Sequence, residues 1–317
     1  MVDPQRVLLL NRTQVRQAMH WPELLEACRG ALVGLASENA LPSISAQLPV
    51  PGASLHLKAG AVMSPPILSV KANLRPDAGS AAGAILAFDH ANQRLQAILA
   101  SSDLTAMRTA AIAAVAAVEL VEKENPRIAL IGAGPVATYT DEALTYLQIS
   151  DEVRVWSRNI EHSRRMVENG SKSQKRIACS SVQEAVAGAD LVITCTPSRS
   201  PLVQLEDLLE GAVVLAMGAD SPGKRELGDG ILESSTLYAD VLHDALRVGE
   251  LAHVSSQEAG RAISIGSRLA KQESVQSLKP RIVFDSVGSS AVDAAVVAMT
   301  LEIALQTASG TWISLED

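Results

Sequence analysis

The chain has 317 residues, a formal net charge of -8, 47% hydrophobic residues and only 3% aromatic residues. This length predicts one large or two medium-sized domains, and the high apolar content excludes a disordered chain. An acidic chain without a local basic patch is not expected to bind nucleic acid. The longest apolar run, residues 110–118, is too short to span a bilayer, and no leader-like segment opens the sequence. We therefore expect a soluble, cytoplasmic protein without a membrane partner.

The cysteine and histidine positions exclude several kinds of site. Cys28, Cys179 and Cys195 are odd in number and far apart, which predicts buried thiols in a reducing compartment and not disulfides or zinc ligands. The six histidines lack metal-ligand spacing, and the sequence contains neither a Walker loop nor a Gly-x-Ser-x-Gly elbow. A metal-free site is expected.

The first part of the chain predicts a small mixed α/β region. Trp21-Pro22 suits a helix start, and apolar residues then recur at helical spacing up to Glu38. An Ala-rich stretch without Gly or Pro, Leu104–Val121, predicts a long helix. Between these helices lie four strand-like segments: Ser54–Ala59, Leu68–Asn73, Ala84–Asp89 and Arg94–Ala100.

From Arg127 the pattern changes to short apolar strands that alternate with helical stretches, which indicates parallel βαβ units and a doubly wound Rossmann sheet. After Asp285 an apolar helical pattern returns, and it can fold back onto the first region. The predicted strands are Arg127–Ile131, Val153–Trp156, Arg176–Cys179, Leu191–Cys195, Val213–Met217 and Arg281–Phe284. The predicted helices are Thr138–Leu147, Ile160–Asn169, Ser181–Ala187 and Val241–His253.

A glycine turn follows the first of these strands. Gly132-Ala-Gly134-Pro-Val-Ala137 opens a helix, so its backbone N–H groups can face a pyrophosphate. The strand before it and the βα alternation after it favour dinucleotide binding over an ordinary glycine turn.

The end of the second strand bears on the choice of cofactor. A free ribose 2′-hydroxyl calls for an acidic residue there, but Trp156 is followed by Ser157 and Arg158. A hydroxyl and a guanidinium suit a 2′-phosphate. We favour NADP(H), with NAD(H) still possible; the alternative is that Arg158 only faces solvent.

Charged residues lie in or beside otherwise apolar elements at Lys58, Lys71, Arg108 and Asp220. A buried cation is costly without an anionic partner, so three cations with one carboxylate indicate a site for a small carboxylated substrate. Taken singly, each could instead be a structural or solvated residue.

In five segments the chain resembles the ornithine cyclodeaminase/μ-crystallin family, in the family's order and approximate spacing over nearly the whole chain. The segments are Ser69-Val-Lys71, Leu104-Thr-Ala-Met-Arg-Thr-Ala-Ala111, Gly132-Ala-Gly134-Pro-Val-Ala137, Gly218-Ala-Asp220-Ser-Pro-Gly-Lys-Arg-Glu-Leu227 and Phe284-Asp-Ser-Val-Gly288. The resemblance implies a Rossmann dinucleotide-binding domain over 124–289. It also implies a smaller mixed α/β domain, formed by 1–123 with 290–317, that binds substrate and pairs two copies into a homodimer.

The resemblance also implies roles for individual residues. Lys71 and Arg108 would hold a substrate carboxylate near the nicotinamide, and Asp220 would face the substrate nitrogen. This agrees with the chemistry: Arg108 can grip a carboxylate, Lys71 can donate a proton, and Asp220 can stabilise an iminium cation. Cofactor contacts are implied at Thr109, Thr196, Met217, Gly218, Ser286 and Val287, and the glycine turn itself adds Pro135 and Val136 to the predicted cofactor residues.

The chain departs from the family pattern before the first strand pair. Many members carry a further carboxylate-binding arginine there, whereas Leu41–Leu48 contains none. Lys58 can supply the missing charge, and His56 can act as a donor or an acid. The residues after the glycine turn also lack the Gln often found in the family.

Three functions remain open from the sequence. The preferred one is an NADPH-dependent reductase of a cyclic ketimine or imino acid, equivalently an amino-acid dehydrogenase, with hydride transfer to the carbon next to a carboxylate. The second is a cyclodeaminase that retains NAD and releases ammonia. The third is a binding protein without catalysis, which intact Lys71, Arg108 and Asp220 disfavour.

Overall fold

The computed structural model describes residues 6–37, 39–76, 81–171, 173–271 and 280–315, with the side chains of Pro42 and Ser43 left aside. Two compact units divide this part of the chain. The first unit runs to Arg108 and resumes at Ser289, and the second unit is Thr109–Gly288. The division falls inside the long helix, whereas the sequence places the domain boundary after it.

The first unit contains a mixed sheet. In its described residues seven strands lie in the order β15-β1-β6-β5-β4-β3-β2. The neighbours β1 and β6 are parallel, and the other neighbouring pairs are antiparallel. The strands are β1 Arg6–Leu10, β2 Ala40–Val50, β3 Ala53–Val62, β4 Ile67–Pro76, β5 Ala82–Asp89, β6 Arg94–Ala100 and β15 Thr311–Ser314.

Helices cover one face of this sheet. The helices are α1 Arg12–Ala18, α2 Trp21–Ala36, the first part of α3 Ser102–Leu120, and α10 Ser290–Gln306. Helix α10 packs on β3, β4 and α2. It approaches β3 so closely that a Cβ on Gly60 would lie 2.6 Å from the Cβ of Ser290. Glycine at position 60 therefore permits the contact that seats α10 on the sheet.

The second unit contains a parallel sheet, whose described strands lie in the order β13-β12-β14-β11-β10-β7-β8-β9. Starting from β7, the chain adds β8 and β9 on one side and β10 and β11 on the other, so the winding reverses between β7 and β10. Ligands bind at such a switch point in doubly wound folds. The strands are β7 Ile128–Ile131, β8 Glu152–Trp156, β9 Lys175–Ala178, β10 Leu191–Thr194, β11 Val213–Ala216, β12 Ser235–Ala239, β13 Ile263–Ser264 and β14 Arg281–Asp285.

The central strands of the second unit are apolar because helices cover both faces of a parallel sheet. Every residue of β7, β10 and β11 is buried. The helices are α4 Pro135–Tyr146, α5 Ile160–Asn169, α6 Val182–Val186, α7 Leu242–Val248, α8 Ser256–Ala259 and α9 Ile265–Lys271, with 3-10 turns at Leu205–Asp207 and Glu250–His253.

The predicted fold class is confirmed, with a doubly wound parallel sheet and a second, mixed α/β unit. The predicted single helix Val241–His253 is wrong. It breaks after Val248 because Gly249 is extended, and a side chain there would collide with the Asp285 carboxylate. Among the described residues, no helix has both the length and the hydropathy needed to cross a bilayer.

Candidate active site

Three charged side chains meet inside the first unit. Lys71 comes from the middle of β4, Arg108 from α3 and Asp293 from the first turn of α10. Lys71 Nζ lies 2.7 Å from Asp293 Oδ2, and Arg108 Nε lies 2.9 Å from Asp293 Oδ1. All three residues are at most 5% exposed. The structure thus brings together two of the three predicted catalytic residues and adds a carboxylate that the sequence analysis missed.

Burial and charge act in opposite directions on this cluster. Burial lowers the pKa of Lys71 to about 7, with Arg108 and Lys58 adding to the effect and Asp293 opposing it. Burial alone would raise the pKa of Asp293, but the charges of Lys71 and Arg108 outweigh it and hold that pKa below its ordinary value. Lys71 can therefore exchange a proton near neutral pH, a property suited to acid–base chemistry.

Arg108 keeps donor capacity beyond its contact with Asp293. Its Nη1 is buried and has no hydrogen-bond partner among the described residues. A buried guanidinium nitrogen without an acceptor is costly, and a ligand carboxylate would satisfy it. Beside it, the thiol of Cys28 donates to the Arg108 carbonyl at 3.8 Å, and burial raises the pKa of Cys28 to about 12. Cys28 is thus a neutral packing residue, as the sequence predicts.

The strand register places both predicted substrate-binding residues beside Lys71. Lys58 on β3 is directly opposite Lys71 on β4, and His56 is opposite Asn73. Directly opposite residues share a face of the sheet. His56 is half-buried and lies 3.4 Å from the Gln47 amide nitrogen. A third cation therefore lies next to Lys71, while His56 is two residue pairs further along the two strands, on the same face.

The glycine turn of the second unit has the geometry that the sequence predicts. Gly132 has φ +126° and donates to the Trp156 carbonyl at 2.7 Å; a Cβ there would lie 2.8 Å from the Cys195 carbonyl. Gly134 caps α4, and the place of its missing Cβ is open space. A pyrophosphate can therefore approach the backbone at the start of α4, where Pro135, Val136 and the buried Ala137 form the first turn.

A cavity of about 560 Å³ lies at this turn, within the second unit. Five of the predicted cofactor residues line it: Gly132, Gly134, Ser157, Arg158 and Thr196. Arg158 is exposed, and neither Asp nor Glu is among the described residues of its lining. Sequence analysis missed His162 and Arg199 in this wall, and it placed Cys195, which is only half-buried there, among the buried thiols.

A second missed carboxylate, Glu226, joins the ends of β10 and β11. Its Oε1 accepts from the Thr196 N–H at 2.7 Å and the Thr196 hydroxyl at 2.6 Å. Its Oε2 accepts from the Thr194 hydroxyl at 2.7 Å and the Gly218 N–H at 2.9 Å. Glu226 is fully buried, and a Cβ on Gly218 would collide with the Thr196 carbonyl. This carboxylate therefore fixes two loops predicted to contact cofactor.

Further acids lie beneath these loops. Glu250 accepts from the Glu226 N–H at 2.6 Å, and burial raises its pKa to about 7. Asp285 accepts from the Leu251 N–H, and burial raises its pKa well above its ordinary value. Asp240 accepts from the Ser286 hydroxyl at 2.7 Å and the Val287 N–H at 3.2 Å. Ser286 and Val287 are thereby held in a buried strand-end loop.

Asp220 follows β11 in the second unit, where Lys224 pairs with it at 2.6 Å and also donates to the Gly218 carbonyl at 3.2 Å. Thr109 and Met217 are buried. Because Asp220 and the Lys71 cluster belong to different units, the role of Asp220 toward substrate stays a prediction.

Within the described residues, no group of three or more His, Cys, Asp or Glu side chains is arranged to hold a metal ion.

Comparisons with known proteins point to one family. The family model described as "Ornithine cyclodeaminase/mu-crystallin family" matches residues 78–308. A ketimine reductase mu-crystallin of Macropus fuliginosus is 34% identical over 218 residues, covering 66% of this chain and 65% of that protein. An alanine dehydrogenase of Archaeoglobus fulgidus is 32% identical over 224 residues, covering 68% and 69%. The chain thus spans just under two thirds of the length of the first of these relatives.

Solved structures share the fold over nearly the full length. An archaeal alanine dehydrogenase dimer with bound NAD is 24% identical, with a TM-score of 0.90 and coverage of 98% of this chain and 99% of that one. The Δ1-pyrroline-2-carboxylate reductase of Thermococcus litoralis, in complex with NADH and L-proline, is 22% identical, also with a TM-score of 0.90, and is covered over 99% of its chain and 96% of this one.

Proposed function

Because the chain belongs to the ornithine cyclodeaminase/mu-crystallin family, we propose that it is an NADPH-dependent reductase of a cyclic ketimine or imino acid, and in reverse an amino-acid dehydrogenase. The observation that carries the proposal is the buried cluster of Lys71, Asp293 and Arg108, with Lys58 opposite Lys71. Even after Asp293 is counted, the cluster has a net positive charge, which suits a carboxylated substrate.

Substrate binding rests on Arg108 and Lys71. The unsatisfied Nη1 of Arg108 supplies a charge-assisted donor for one carboxylate oxygen, and Lys71 adds a second positive charge from β4. Both residues are fixed on regular elements, so an imine carbon next to the carboxylate is held at a defined position. Lys58 supplies positive charge in place of the carboxylate-binding arginine that Leu41–Leu48 lacks.

Proton transfer rests on Lys71. Reduction of an imine requires one proton at nitrogen, and a lysine whose pKa is about 7 can donate it at neutral pH. Asp220 is proposed to stabilise the positive charge of the iminium form, as the family resemblance implies.

The cofactor would be held by the second unit. The open space beside Gly134, the N–H groups at the start of α4 and the loop held by Glu226 fit a dinucleotide. A bound dihydronicotinamide supplies the hydride that reduces the imine carbon. NADPH is preferred over NADH because Arg158 lines the cavity and the described lining residues include no Asp or Glu, which suits a 2′-phosphate.

A homodimer in the cytoplasm belongs to the same proposal. On the sheet face away from Lys58 and Lys71, exposed apolar side chains form a patch that suits a second copy: Ile44, Leu48, Val50, Leu57 and Leu74. The long edge strand β2 lies within this patch, and natural proteins usually cover such edges. The similar alanine dehydrogenase is described as a dimer. Three free cysteines suit a reducing compartment.

The test is a panel of five- and six-membered cyclic ketimines with a carboxylate on the imine carbon, assayed with NADPH and with NADH. We expect loss of reduced-nicotinamide absorbance, faster with NADPH, and no turnover of the matched imines that lack the carboxylate. Ammonia release from diamino acids without a net absorbance change would instead identify a cyclodeaminase. Absence of any turnover would favour a binding protein and refute the proposal.

A further inference from the structure

Asp293 stands out because it is a fully buried acid in the mostly apolar first part of α10, whereas Glu302 on the same helix is exposed. Its neighbours on α10 are Ala291, Val292, Ala294 and Ala295, and the helix is buried over most of its length. One carboxylate oxygen contacts Lys71 and the other contacts Arg108. Asp293 thus contacts both residues that are proposed to bind the substrate. The sequence analysis predicted it neither as a catalytic nor as a substrate-binding residue.

Stability alone does not account for this arrangement. Buried ion pairs are expensive to desolvate, and well-packed apolar residues of similar volume are often as stable. Here two cations share one carboxylate, and Lys58 adds a third positive charge on the same sheet face. A purely structural pair would be balanced, whereas this cluster keeps an excess positive charge and the unsatisfied Nη1 of Arg108.

We propose that Asp293 is a positioning residue for the reaction: its carboxylate keeps Lys71 protonated as the proton donor and orients Arg108 so that Nη1 is available to the substrate carboxylate. The inference rests on the proposed function and deepens it. Asp293 acts through Lys71 and Arg108 and does not itself donate to substrate.

The proton balance of the step is complete. The imine carbon gains a hydride from the reduced nicotinamide, and the nitrogen gains a proton as a Lys71 N–H bond breaks and a substrate N–H bond forms. Lys71 is then neutral beside the Asp293 carboxylate. The negative charge at 2.7 Å favours uptake of a proton from water, which restores the ammonium for the next turnover.

The charged groups around Lys71 determine the direction in which each substitution shifts the pKa of Lys71. Asp293 on α10 raises the Lys71 pKa, whereas Arg108 on α3 and Lys58 on β3 lower it. Cys28 on α2 stays neutral, since its own pKa is raised to about 12. Loss of Asp293 must therefore lower the Lys71 pKa further, and loss of Lys58 must raise it.

The experiment measures the protonation of Lys71 in the full chain without added cofactor. Brief pulses of acetic anhydride, which acylates neutral amines, are given at a series of pH values, and the Lys71 peptide is quantified by mass spectrometry. We expect a labelling midpoint near pH 7 in the unsubstituted protein. Asp293→Asn should lower it by about one unit or more, Asp293→Glu should restore most of the shift, and Lys58→Met should raise it.

Asp103→Asn is the matched control. Asp103 is a buried acid on the same helix as Arg108 and pairs with Arg12 at 2.7 Å. Among the described residues, Asp103 forms no ion pair or hydrogen bond with Lys71 or Asp293. Its substitution should leave the midpoint unchanged. In turnover, the alkaline limb of kcat/KM for the ketimine should move to lower pH in Asp293→Asn by the same amount as the labelling midpoint.

The outcomes separate the two proposals. If Asp293→Asn fails to fold, Asp293→Glu decides: because it keeps the carboxylate, a Lys71 midpoint that falls well below that of the unsubstituted protein overturns the inference. An unchanged midpoint in folded Asp293→Asn also overturns it. If the midpoints shift as expected but no imine is reduced, the proposed function fails while the control of Lys71 by Asp293 stands.

Discussion

Replacing Glu226 with Gln tests how the second unit holds its proposed cofactor loops. The carboxylate accepts two hydrogen bonds on each oxygen, and one bond on each side comes from a backbone N–H. A glutamine can present its oxygen to one side only. Its NH2 group must then face either the Thr196 N–H or the Gly218 N–H, and neither backbone donor can rotate to accept. The nearby hydroxyls can rotate, so the main loss is one backbone N–H that is left without an acceptor.

The cost follows from these contacts. A buried N–H without an acceptor costs about 1–3 kcal/mol, and the remaining bonds lose the charge that strengthens them. We expect Glu226→Gln to lower the free energy of unfolding by about 2–4 kcal/mol. At roughly 2–4 °C per kcal/mol for a unit of this size, the melting temperature should fall by on the order of 10 °C. Displacement of the Thr196 loop should weaken NADPH binding by about tenfold, equivalent to about 1.4 kcal/mol.

Thermal unfolding by circular dichroism and a titration of tryptophan fluorescence with NADPH measure both effects. Trp156 lines the cavity and serves as the reporter. Glu184→Gln is the control, because Glu184 also accepts from a backbone N–H and a hydroxyl, both of Ser180, but lies on the surface. It should behave like the unsubstituted protein. A Glu226→Gln variant with unchanged melting temperature and unchanged NADPH affinity would refute the reasoning.

Three further predictions concern substrate, cofactor and assembly. Arg108→Ala should reduce kcat/KM for the ketimine by about 100-fold or more, since charge-assisted bonds contribute about 1.5–3 kcal/mol each. NADPH affinity should stay within about twofold, and an equal loss of both would contradict the role of Arg108. Ser157→Asp with Arg158→Ala should move the ratio of catalytic efficiencies toward NADH by about tenfold or more, and an unchanged ratio argues against NADP preference. Leu48→Lys should give a monomer by light scattering. Val118→Lys, at a side chain of similar exposure (59% against 58%), should leave the dimer intact, and a dimer in both variants contradicts the proposed interface.

Sequence periodicity locates most of the helices and strands, because one local residue pattern accounts for each of them. The glycine turn, the buried strands β7, β10 and β11, and the helix Ile160–Asn169 occur where the pattern predicts them. Strand β12, Ser235–Ala239, and strand β15, Thr311–Ser314, were not predicted. Their pairing is decided by partners that are distant in sequence, namely β14 and β1.

The two missed carboxylates differ in how far the sequence could reveal them. Asp293 is a single acid within an apolar helical run, and the rule that singled out Lys71 and Arg108 applies to it equally. Glu226 carries no such signal, because it lies in a polar loop beside Lys224 and Arg225. Its importance depends on four donors from Thr194, Thr196 and Gly218, which only the folded strand ends bring together.

The acids beneath the strand ends make folding of the second unit a proton-consuming event. Glu250 has an ordinary pKa of 4.5, and burial raises it to about 7 in the folded unit; the pKa of Asp285 moves in the same direction. The folded state therefore binds more protons than the unfolded chain in this range. The contribution of Glu250 to stability is complete below pH 4.5 and is lost as the pH rises through about 7. Mild acidity thus favours the native form here, whereas a salt-bridged carboxylate would respond in the opposite sense.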